Sequence, residues 1–504
     1  MQDQTQETAD LREAIAAIDL GSNSFHMIVA RVQNGHLQII DKLREMVRLG
    51  EGLTPDKNLD PTVAERALAC LERFGQRLKT LPAENVRAVG TNTMRQIRSA
   101  NDFLIRAQQA LGHDIEVIAG REEARLVYLG VAHGLAAGEE HRLVVDIGGG
   151  STELIIGRGF TPLLRESLHM GCVSMSRGFF ADGQITAKAM KQAEIACAVQ
   201  LRPVREQYKQ GGWSKAIGSS GTIKAIRKVV IEEGWSEAGI TRESLEKLVE
   251  AMIQAGSLEK LSLKGLSEER KPVFPGGVAV LLAVFKNLEI DQMQVSYEAL
   301  REGLIYDMIG RIQHEDTRER TINALAERYN VDEAQARRVC DTAMAFFHQV
   351  IHTWRLIDPI YSSMLSWAAR IHEIGLAVSH SQFHKHGAYL IENSDLSGFS
   401  KQEQRVLAAL VRGHRRKFPN SVFDTLPSNL VLITKQLCVL LRLAVLLHRS
   451  RSPAARPHSL LSAEENRLSL EFPEGWLADH PLTQAELEQE AIDLQSAGFS
   501  LEYH

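Results

Sequence analysis

His141-Arg-Leu-Val-Val-Asp-Ile-Gly-Gly-Gly-Ser-Thr-Glu-Leu-Ile-Ile156 is the stretch on which the fold turns. Leu143 to Ile147 and Leu154 to Ile156 are apolar runs rich in Leu, Val and Ile, so the residues between them read as a tight turn joining two strands. Gly148, Gly149, Gly150 and Ser151 expose backbone N–H groups at that turn, which suits phosphate oxygens. Asp146 and Glu153 stand at its two ends as hard oxygen ligands for Mg²⁺. Gly-Gly-Gly-Ser also makes a featureless loop, and this stretch alone leaves both readings open.

The pattern occurs twice. Ala14-Ile-Ala-Ala-Ile-Asp-Leu-Gly-Ser-Asn-Ser-Phe-His-Met-Ile-Val-Ala30 repeats strand, Asp, Gly, small polar turn and strand, with Asp19 matching Asp146 and Gly21 matching Gly148. Ser22, Asn23 and Ser24 take the place of the second loop's small residues. Two such hairpins indicate a duplicated domain. Neither copy carries the Gly-Lys-Ser/Thr ending of a P-loop, and neither runs straight into a helical pattern as a dinucleotide fingerprint does. A third glycine loop, Ala216 to Ile226, does lead into one, so Ser219, Ser220, Gly221 and Thr222 stand where a helix N-terminus holds an anion.

With 504 residues and 44% hydrophobic content the chain has material for several cores. Its five cysteines form no Cys-x-x-Cys pair, which excludes a zinc or disulfide framework and fits a reducing cytoplasm. The net charge of −5 argues against a general nucleic-acid binder, so a polyanionic substrate has to be met by local basic patches and metal. No signal peptide or integral membrane span is expected, because the longest apolar stretch, Leu437 to Leu447, is broken by Arg442.

Residues 1–13 read as a disordered leader. Leu37 to Leu49 continues as strand with Arg44 and Arg48 on one face, and Pro61 to Leu81 has helical spacing. Strand Val86 to Val89 ends in Gly90-Thr-Asn-Thr-Met-Arg95, where Thr91, Thr93 and Arg95 meet at a strand tip suited to phosphate. In Gly120-Arg-Glu-Glu-Ala-Arg125 the helical spacing puts Glu122 and Glu123 in a first turn, where acidic residues are ordinary helix stabilisers. An ionised Glu between a strand end and a metal-type turn also meets the needs of a water-activating base. His169 to Ser176 reads as a small-residue loop in which Cys172 is a packed residue, since His169 has no acidic partner to make the pair a nucleophile. The α/β region closes with helix Glu298 to Arg311.

From Arg318 to Leu447 the pattern is almost continuously helical and rich in histidine. His372 is followed by Glu373 where metal-dependent helical phosphohydrolases place Asp, so a degenerate helical domain is the expectation here. Arg449 to Arg456 reads as a linker, followed by strand Asn466 to Phe472, helix Gln484 to Leu494 and strand Phe499 to Tyr503. The resulting division is a leader over 1–13, α/β domains over 14–136 and 137–311, a helical domain over 312–447 and a small α+β domain over 448–504.

Asp19-Leu-Gly-Ser-Asn-Ser-Phe-His26, Gly120 to Arg125, Asp146 to Glu153, Met170-Gly-Cys-Val-Ser174, Gly218-Ser-Ser-Gly-Thr222 and Ala299-Leu-Arg-Glu-Gly303 together resemble the exopolyphosphatase and guanosine pentaphosphate phosphohydrolase family. The resemblance spans residues 14 to 500 and is specific, because the motifs stand in the right order. It implies the duplicated α/β fold of actin, sugar kinases and heat-shock ATPases, which is ribonuclease H-like, with an all-α domain resembling the HD phosphohydrolases behind it. Gly150, the Thr222-Ile-Lys224 ending and Leu261 to Lys271 resemble the exopolyphosphatase branch, whereas Gly475 to Pro481 and Leu201 to Val204 lean toward the pentaphosphatase branch. The branch stays open.

Carried over position by position, the resemblance makes Glu123 the catalytic base and puts Asp146, Gly148 and Glu153 at a metal and phosphate site. It implies Mg²⁺, or Mn²⁺, as cofactor and a cytoplasmic homodimer as the working form. The leading expectation is an exopolyphosphatase that processively releases orthophosphate from inorganic polyphosphate. Hydrolysis of guanosine pentaphosphate to the tetraphosphate is the alternative, and a non-enzymatic nucleotide- or polyphosphate-binding scaffold is the bland one. A long polyanion needs grip beyond one metal site, and Arg412, His414, Arg415, Arg416 and Lys417 are the candidate channel residues.

Overall fold

The computed structural model describes residues 14–33, 36–98, 100–135, 138, 140–312, 316–452 and 459–504. The leader expected over 1–13 and residues 453–456 of the expected linker lie outside the described residues. Two compact units divide the chain, the second being Asp316–His504.

The first unit is built on two sheets of the same plan. Strands β1 (Ile15–Leu20), β2 (Phe25–Gln33), β3 (His36–Glu45), β4 (Val86–Gly90) and β5 (Ile115–Val117) lie in the order β3-β2-β1-β4-β5. Strands β6 (His141–Ile147), β7 (Thr152–Arg158), β8 (Thr161–Leu168), β9 (Lys215–Ser219), β10 (Ile240–Thr241) and β11 (Gln292–Val295) lie in the order β10-β11-β9-β6-β7-β8. In each sheet an antiparallel meander is extended by parallel strands beside its first member: β4 beside β1, and β9 beside β6. The register is equivalent too. Asp19 pairs with His26 across the first hairpin, and Asp146 with Glu153 across the second. The duplication read from the two glycine turns is therefore a duplication of whole sheets.

The helices of this unit are α1 (Pro61–Leu78), α2 (Asn92–Gln96), α3 (Ala100–Leu111), α4 (Gly120–His133), α5 (Cys172–Phe179), α6 (Ala187–Leu201), α7 (Arg205–Gly211), α8 (Ser220–Glu232), α9 (Arg242–Ala255), α10 (Phe274–Leu288) and α11 (Leu300–Ile312). α1 starts where Asp60 accepts hydrogen bonds from the Thr62 and Val63 amides with Pro61 at its first position, and it buries Val63, Ala67, Leu71 and Phe74. The loop expected from His169 to Ser176 is instead helix α5 from Cys172 onward, a turn too short for apolar periodicity to reveal. Strand β3 ends at Glu45, and Arg48 takes a left-handed conformation (φ 52°), so the expected shared face for Arg44 and Arg48 does not form.

Helix α11 crosses back onto the first half: it packs along α4 and against β1, not within the second sheet's helices as the division at 136/137 implied. Glycines allow this. A Cβ on Gly303 would stand 1.8 Å from the Leu126 carbonyl oxygen, and one on Gly130 2.1 Å from that of Ala299, so the two backbones touch where no side chain fits. Beneath the crossing lies a buried charge network. Asp307 of α11 accepts from Arg125 (2.6 Å) on α4 and from Arg87 (2.5 Å) on β4. Arg125 also grips Glu122 through two N–H donors, at 2.7 and 2.9 Å. Glu122 is thus committed to holding α4 in place.

The second unit consists of α12 (Thr317–Arg328), α13 (Glu333–Val350), α14 (Pro359–Ile371), α15 (Phe383–Asn393), α16 (Lys401–Gly413), α17 (Asn420–Phe423), α18 (Ser428–Leu447), α19 (Trp476–Asp479), α20 (Pro481–Gln495) and a small sheet β12-β13-β14 (Leu460–Glu464, Arg467–Glu471, Ser500–Tyr503). Leu461, Leu470, Leu494 and Phe499 belong to the same core as Trp367, Leu410 and Leu440, so residues 459–504 complete the helical core and do not form a domain apart. Arg442, which interrupts the apolar run of α18, is buried and pairs with Glu490 of α20. α10 and α18 are each apolar enough, with residues just before α10 included, to cross a membrane by length; both are mostly buried inside their units.

Candidate active site

The two hairpin turns, the tip of β4, the N-termini of α5 and α8 and the first turns of α4 and α11 converge on one cleft of about 360 Å³ in the first unit. Of the residues singled out above, Asp19, Gly21, Ser22, Asn23, Ser24 and Thr91 line it from the first half. Asp146, Gly148, Gly149, Ser151, Ser220, Gly221 and Thr222 line it from the second, and Glu123 faces it from α4.

The other candidates stand just behind. Arg95 donates to Glu123 Oε2 and to the Ile118 carbonyl, both at 2.9 Å, so it orients the carboxylate and is not itself on the cleft wall. Thr93 Oγ1 donates to Ser22 Oγ at 2.7 Å and fixes that loop serine. Ser219 Oγ donates to the Glu298 carbonyl at 2.9 Å, and Gly150 packs over Asn92. Glu153 is buried behind Asp146 and accepts from Ser167 Oγ at 2.8 Å. Asp146 and Glu153 are paired across the hairpin and so share a face of the sheet, but only Asp146 lines the cleft.

The loops are held from below. Gly148 N donates to the Ser151 carbonyl, while the Cys172 and Val173 amides donate to the Gly148 and Gly149 carbonyls at 2.9 Å, so the turn is clasped by the α5 N-terminus. Cys172 lines the cleft but is buried, and burial pushes its thiol above the ordinary value, which makes it a packing residue as expected. Ser220 opens α8 with φ 74°, a conformation costly for a side-chain-bearing residue, and its hydroxyl donates to the Ile147 carbonyl at 2.8 Å.

Carboxylates and cations share the cleft. Burial pushes Asp19 up to about 7, opposed by Arg301 and assisted by Glu123 and Asp146. Burial, together with Glu123, pushes Asp146 up to about 7 as well. Glu153 is held well above the ordinary carboxylate range by burial and by the same neighbours. A floor of carboxylates that cannot all ionise comfortably calls for a cation. Among the described residues no three His, Cys, Asp or Glu side chains form a ready ligand set. One or two hard carboxylates plus substrate oxygens is the arrangement that suits Mg²⁺, and Asp146 with Asp19 fits it.

Sequence reasoning missed part of the lining: His26, Lys42, Arg44, Asn92, Lys224, Arg270 and Arg301 also line the cleft. Lys42 and Arg44 had a signal, since two residues apart on a strand they share a face. Arg301 lay inside the quoted Ala299 to Gly303 motif, Lys224 at the end of Thr222-Ile-Lys224 and Arg270 inside Leu261 to Lys271, none of them read as a cleft residue. Arg301 donates to His26 Nδ1 at 2.7 Å, so the other ring nitrogen carries the proton and donates to Ser24 Oγ at 2.8 Å. Burial and the charges of Arg301 and Arg44 push His26 down to about 2, and the ring stays neutral.

The candidate channel residues lie in the second unit. His414 is buried at the end of α16, its Nδ1 bonded to the Val411 carbonyl at 2.6 Å, so it is a core residue and not part of a surface channel. Arg415 is half-buried over the Phe383 ring, leaving Arg416 and Lys417 as the exposed members. His372, His384 and His414 cluster with ring centroids 5.3 and 6.3 Å apart.

The sequence matches the model of the Ppx/GppA phosphatase family over residues 28–312 and that of Ppx/GppA phosphatase domain III over residues 317–491. It is 40% identical over 484 residues to the guanosine-5'-triphosphate,3'-diphosphate pyrophosphatase of Aeromonas hydrophila, covering 96% of this chain and 97% of that protein. Against the protein of the same name from Vibrio cholerae it is 41% identical over 489 residues, with the same coverages. Among solved structures, the Aquifex aeolicus PPX-GPPA enzyme superposes with a TM-score of 0.50 at 26% identity, covering 58% of this chain and 98% of that one. An exopolyphosphatase from Cytophaga hutchinsonii gives 0.54 at 24% identity, covering 59% and 97%, and shares the fold.

Proposed function

The chain belongs to the Ppx/GppA phosphatase family, and on that premise we propose that it hydrolyses the terminal phosphoanhydride of guanosine pentaphosphate and, in the same cleft, of inorganic polyphosphate. The identity to guanosine pentaphosphate pyrophosphatases over nearly the whole chain supports putting the nucleotide first in this reading. Release of orthophosphate from polyphosphate ends, the leading expectation from the motifs, uses the same groups.

The observation that carries the reading is the lining of the cleft: Glu123, Asp19 and Asp146 stand in it together with the cations Lys42, Arg44, Lys224, Arg270 and Arg301 and the two glycine turns. The cations take up the substrate's phosphates, and the Gly149 amide, beside a Gly148 amide already given to the Ser151 carbonyl, holds an oxygen of the terminal one. Glu123, kept in place by Arg95, takes a proton from the attacking water. His26, neutral and fixed by its two hydrogen bonds, aims the Arg301 guanidinium. Mg²⁺, held by Asp146 with Asp19, would supply charge neutralisation at the terminal phosphate. The cofactor, a homodimeric state and a cytoplasmic location are parts of the same proposal.

The test is direct. The purified protein is incubated with Mg²⁺ and either guanosine pentaphosphate or polyphosphate, and orthophosphate is measured. Release from either supports the reading; binding of both without release would make the chain a scaffold.

A further inference from the structure

We propose that Tyr297 is a stacking platform for the base of the nucleotide substrate, and so a residue that separates nucleotide from polyphosphate at the cleft described above. The inference rests on the proposed function and adds to it a group that touches no phosphate.

Tyr297 is 67% exposed, unusual for a large aromatic side chain, and it stands beside the cleft. The link is Lys224, which lines the cleft and whose charge acts on Asp146 at its floor. The Lys224 ammonium donates to the Tyr297 carbonyl at 2.7 Å and stands 5.7 Å from the centre of the tyrosine ring. One helical turn along α8, Arg227 donates to the Tyr297 hydroxyl at 3.3 Å. The ring is therefore oriented by cations while most of its surface remains in solvent.

Its backbone is fixed as well. Ser296 N donates to the Gly218 carbonyl at 2.9 Å, and Ser219 Oγ donates to the Glu298 carbonyl at 2.9 Å, which ties both neighbours of Tyr297 to the end of β9. Ala299 and Leu300, immediately following, line the cleft. An aromatic ring already immobilised loses little entropy when a base stacks on it. A nucleoside polyphosphate whose terminal phosphate occupies the cleft carries such a base at its other end. Inorganic polyphosphate has no π face to offer, so the ring gains nothing from it. Stacking is tolerant of base identity, so the platform selects nucleotide over polyphosphate and not guanine over adenine.

The experiment compares wild type, Tyr297→Ala and Tyr297→Phe on guanosine pentaphosphate and on a short linear polyphosphate with Mg²⁺. The alanine variant keeps the carbonyl that Lys224 grips, so the cleft retains its cation. It is expected to lose about tenfold in kcat/KM on the nucleotide, carried by KM, while polyphosphate turnover stays within about twofold. Tyr297→Phe keeps the ring and is expected within about twofold of wild type on both. An equal loss on both substrates, or no loss on the nucleotide, overturns the proposal. Failure of the wild type to release phosphate from either compound overturns the functional reading instead. Calorimetric binding of the two compounds to wild type and Tyr297→Ala then decides the platform: a loss confined to the nucleotide sustains it, and an equal or absent loss refutes it.

Discussion

Replacing Asp307 by Asn should destabilise the first unit more than any single change on the cleft wall. The carboxylate is buried where α11, α4 and β4 cross and accepts from Arg125 at 2.6 Å, Arg87 at 2.5 Å and Arg311 at 3.2 Å. Asn keeps the shape but leaves those arginines with too little negative charge; Glu116 and Glu122 remain for Arg87 and Arg125. Removing one partner of a buried ion pair costs about 3–5 kcal/mol. With the two surviving carboxylates the lower end applies, and in a unit of this size it corresponds to a fall in Tm of roughly 6–12 °C. The pH dependence gives a second readout. Burial alone would raise the Asp307 carboxyl, but Arg125, Arg87 and Arg311 outweigh it and hold the group well below the usual range. A depressed folded pKa means the stabilisation is complete above the unfolded value, near about 4, and drains away as pH falls below it, by about 1.4 kcal/mol per pH unit. The gap between wild type and variant, measured by calorimetry, should be constant from neutral pH down to about pH 5 and narrow in acid. A variant with wild-type Tm at neutral pH, or a gap that widens in acid, would refute the reasoning.

Glu123→Gln is expected to lower turnover by about two or more orders of magnitude with little change in substrate binding, since it removes proton transfer and keeps shape; near-normal kcat would remove Glu123 from the mechanism. Activity should vanish in excess chelator, and Asp146→Asn should raise the Mg²⁺ concentration needed for half-maximal rate; a chelator-insensitive enzyme contradicts the proposed cofactor. Gly303→Ala should disrupt the α4–α11 crossing, where its Cβ would meet the Leu126 carbonyl oxygen at 1.8 Å, and cost about 1–3 kcal/mol or more; an unchanged Tm would count against the contact. Neutralising the exposed pair Arg416 and Lys417 should weaken long polyphosphate by about two- to tenfold and flatten its salt dependence while sparing short chains, whereas equal weakening on both would assign the run no role in holding length.

What could be read before the structure was whatever local rules carry. The two glycine hairpins, the helix after Gly120 and the third loop at Gly218 announce themselves through strand runs, turn residues and helical spacing. Residues whose role depends on what lies opposite them stayed hidden. Glu122 and Glu123 look alike in sequence; Arg125, one turn on in the same helix and anchored by Asp307, takes Glu122, while Arg95 of α2 takes Glu123, which divides them into a structural and a cleft-facing carboxylate. Arg442 seemed an interruption of an apolar helix until Glu490, on a helix far along the chain, arrived to pair with it. His414, read as part of a basic surface run, is drawn inward because the end of α16 turns it into the core.

The paired hairpins also explain why a duplicated fold yields a site whose two halves are chemically unlike. Position for position, His26 of the first hairpin corresponds to Glu153 of the second, each registered opposite the aspartate of its own turn. In the second copy the extra carboxylate deepens the negative potential around Asp146, which favours a cation there. In the first copy the same place holds a neutral imidazole that accepts from Arg301 and leaves its charge turned to the cleft. Exchange of one side chain type between otherwise equivalent strands thus sets a second carboxylate opposite Asp146 and a neutral imidazole, turned to Arg301, opposite Asp19. On this argument His26→Glu should not improve metal binding. It would neutralise Arg301, and it should raise KM for substrate while leaving the Mg²⁺ requirement set by Asp146 with Asp19 unchanged. A lowered Mg²⁺ requirement with unchanged KM would show that the two hairpins are interchangeable after all.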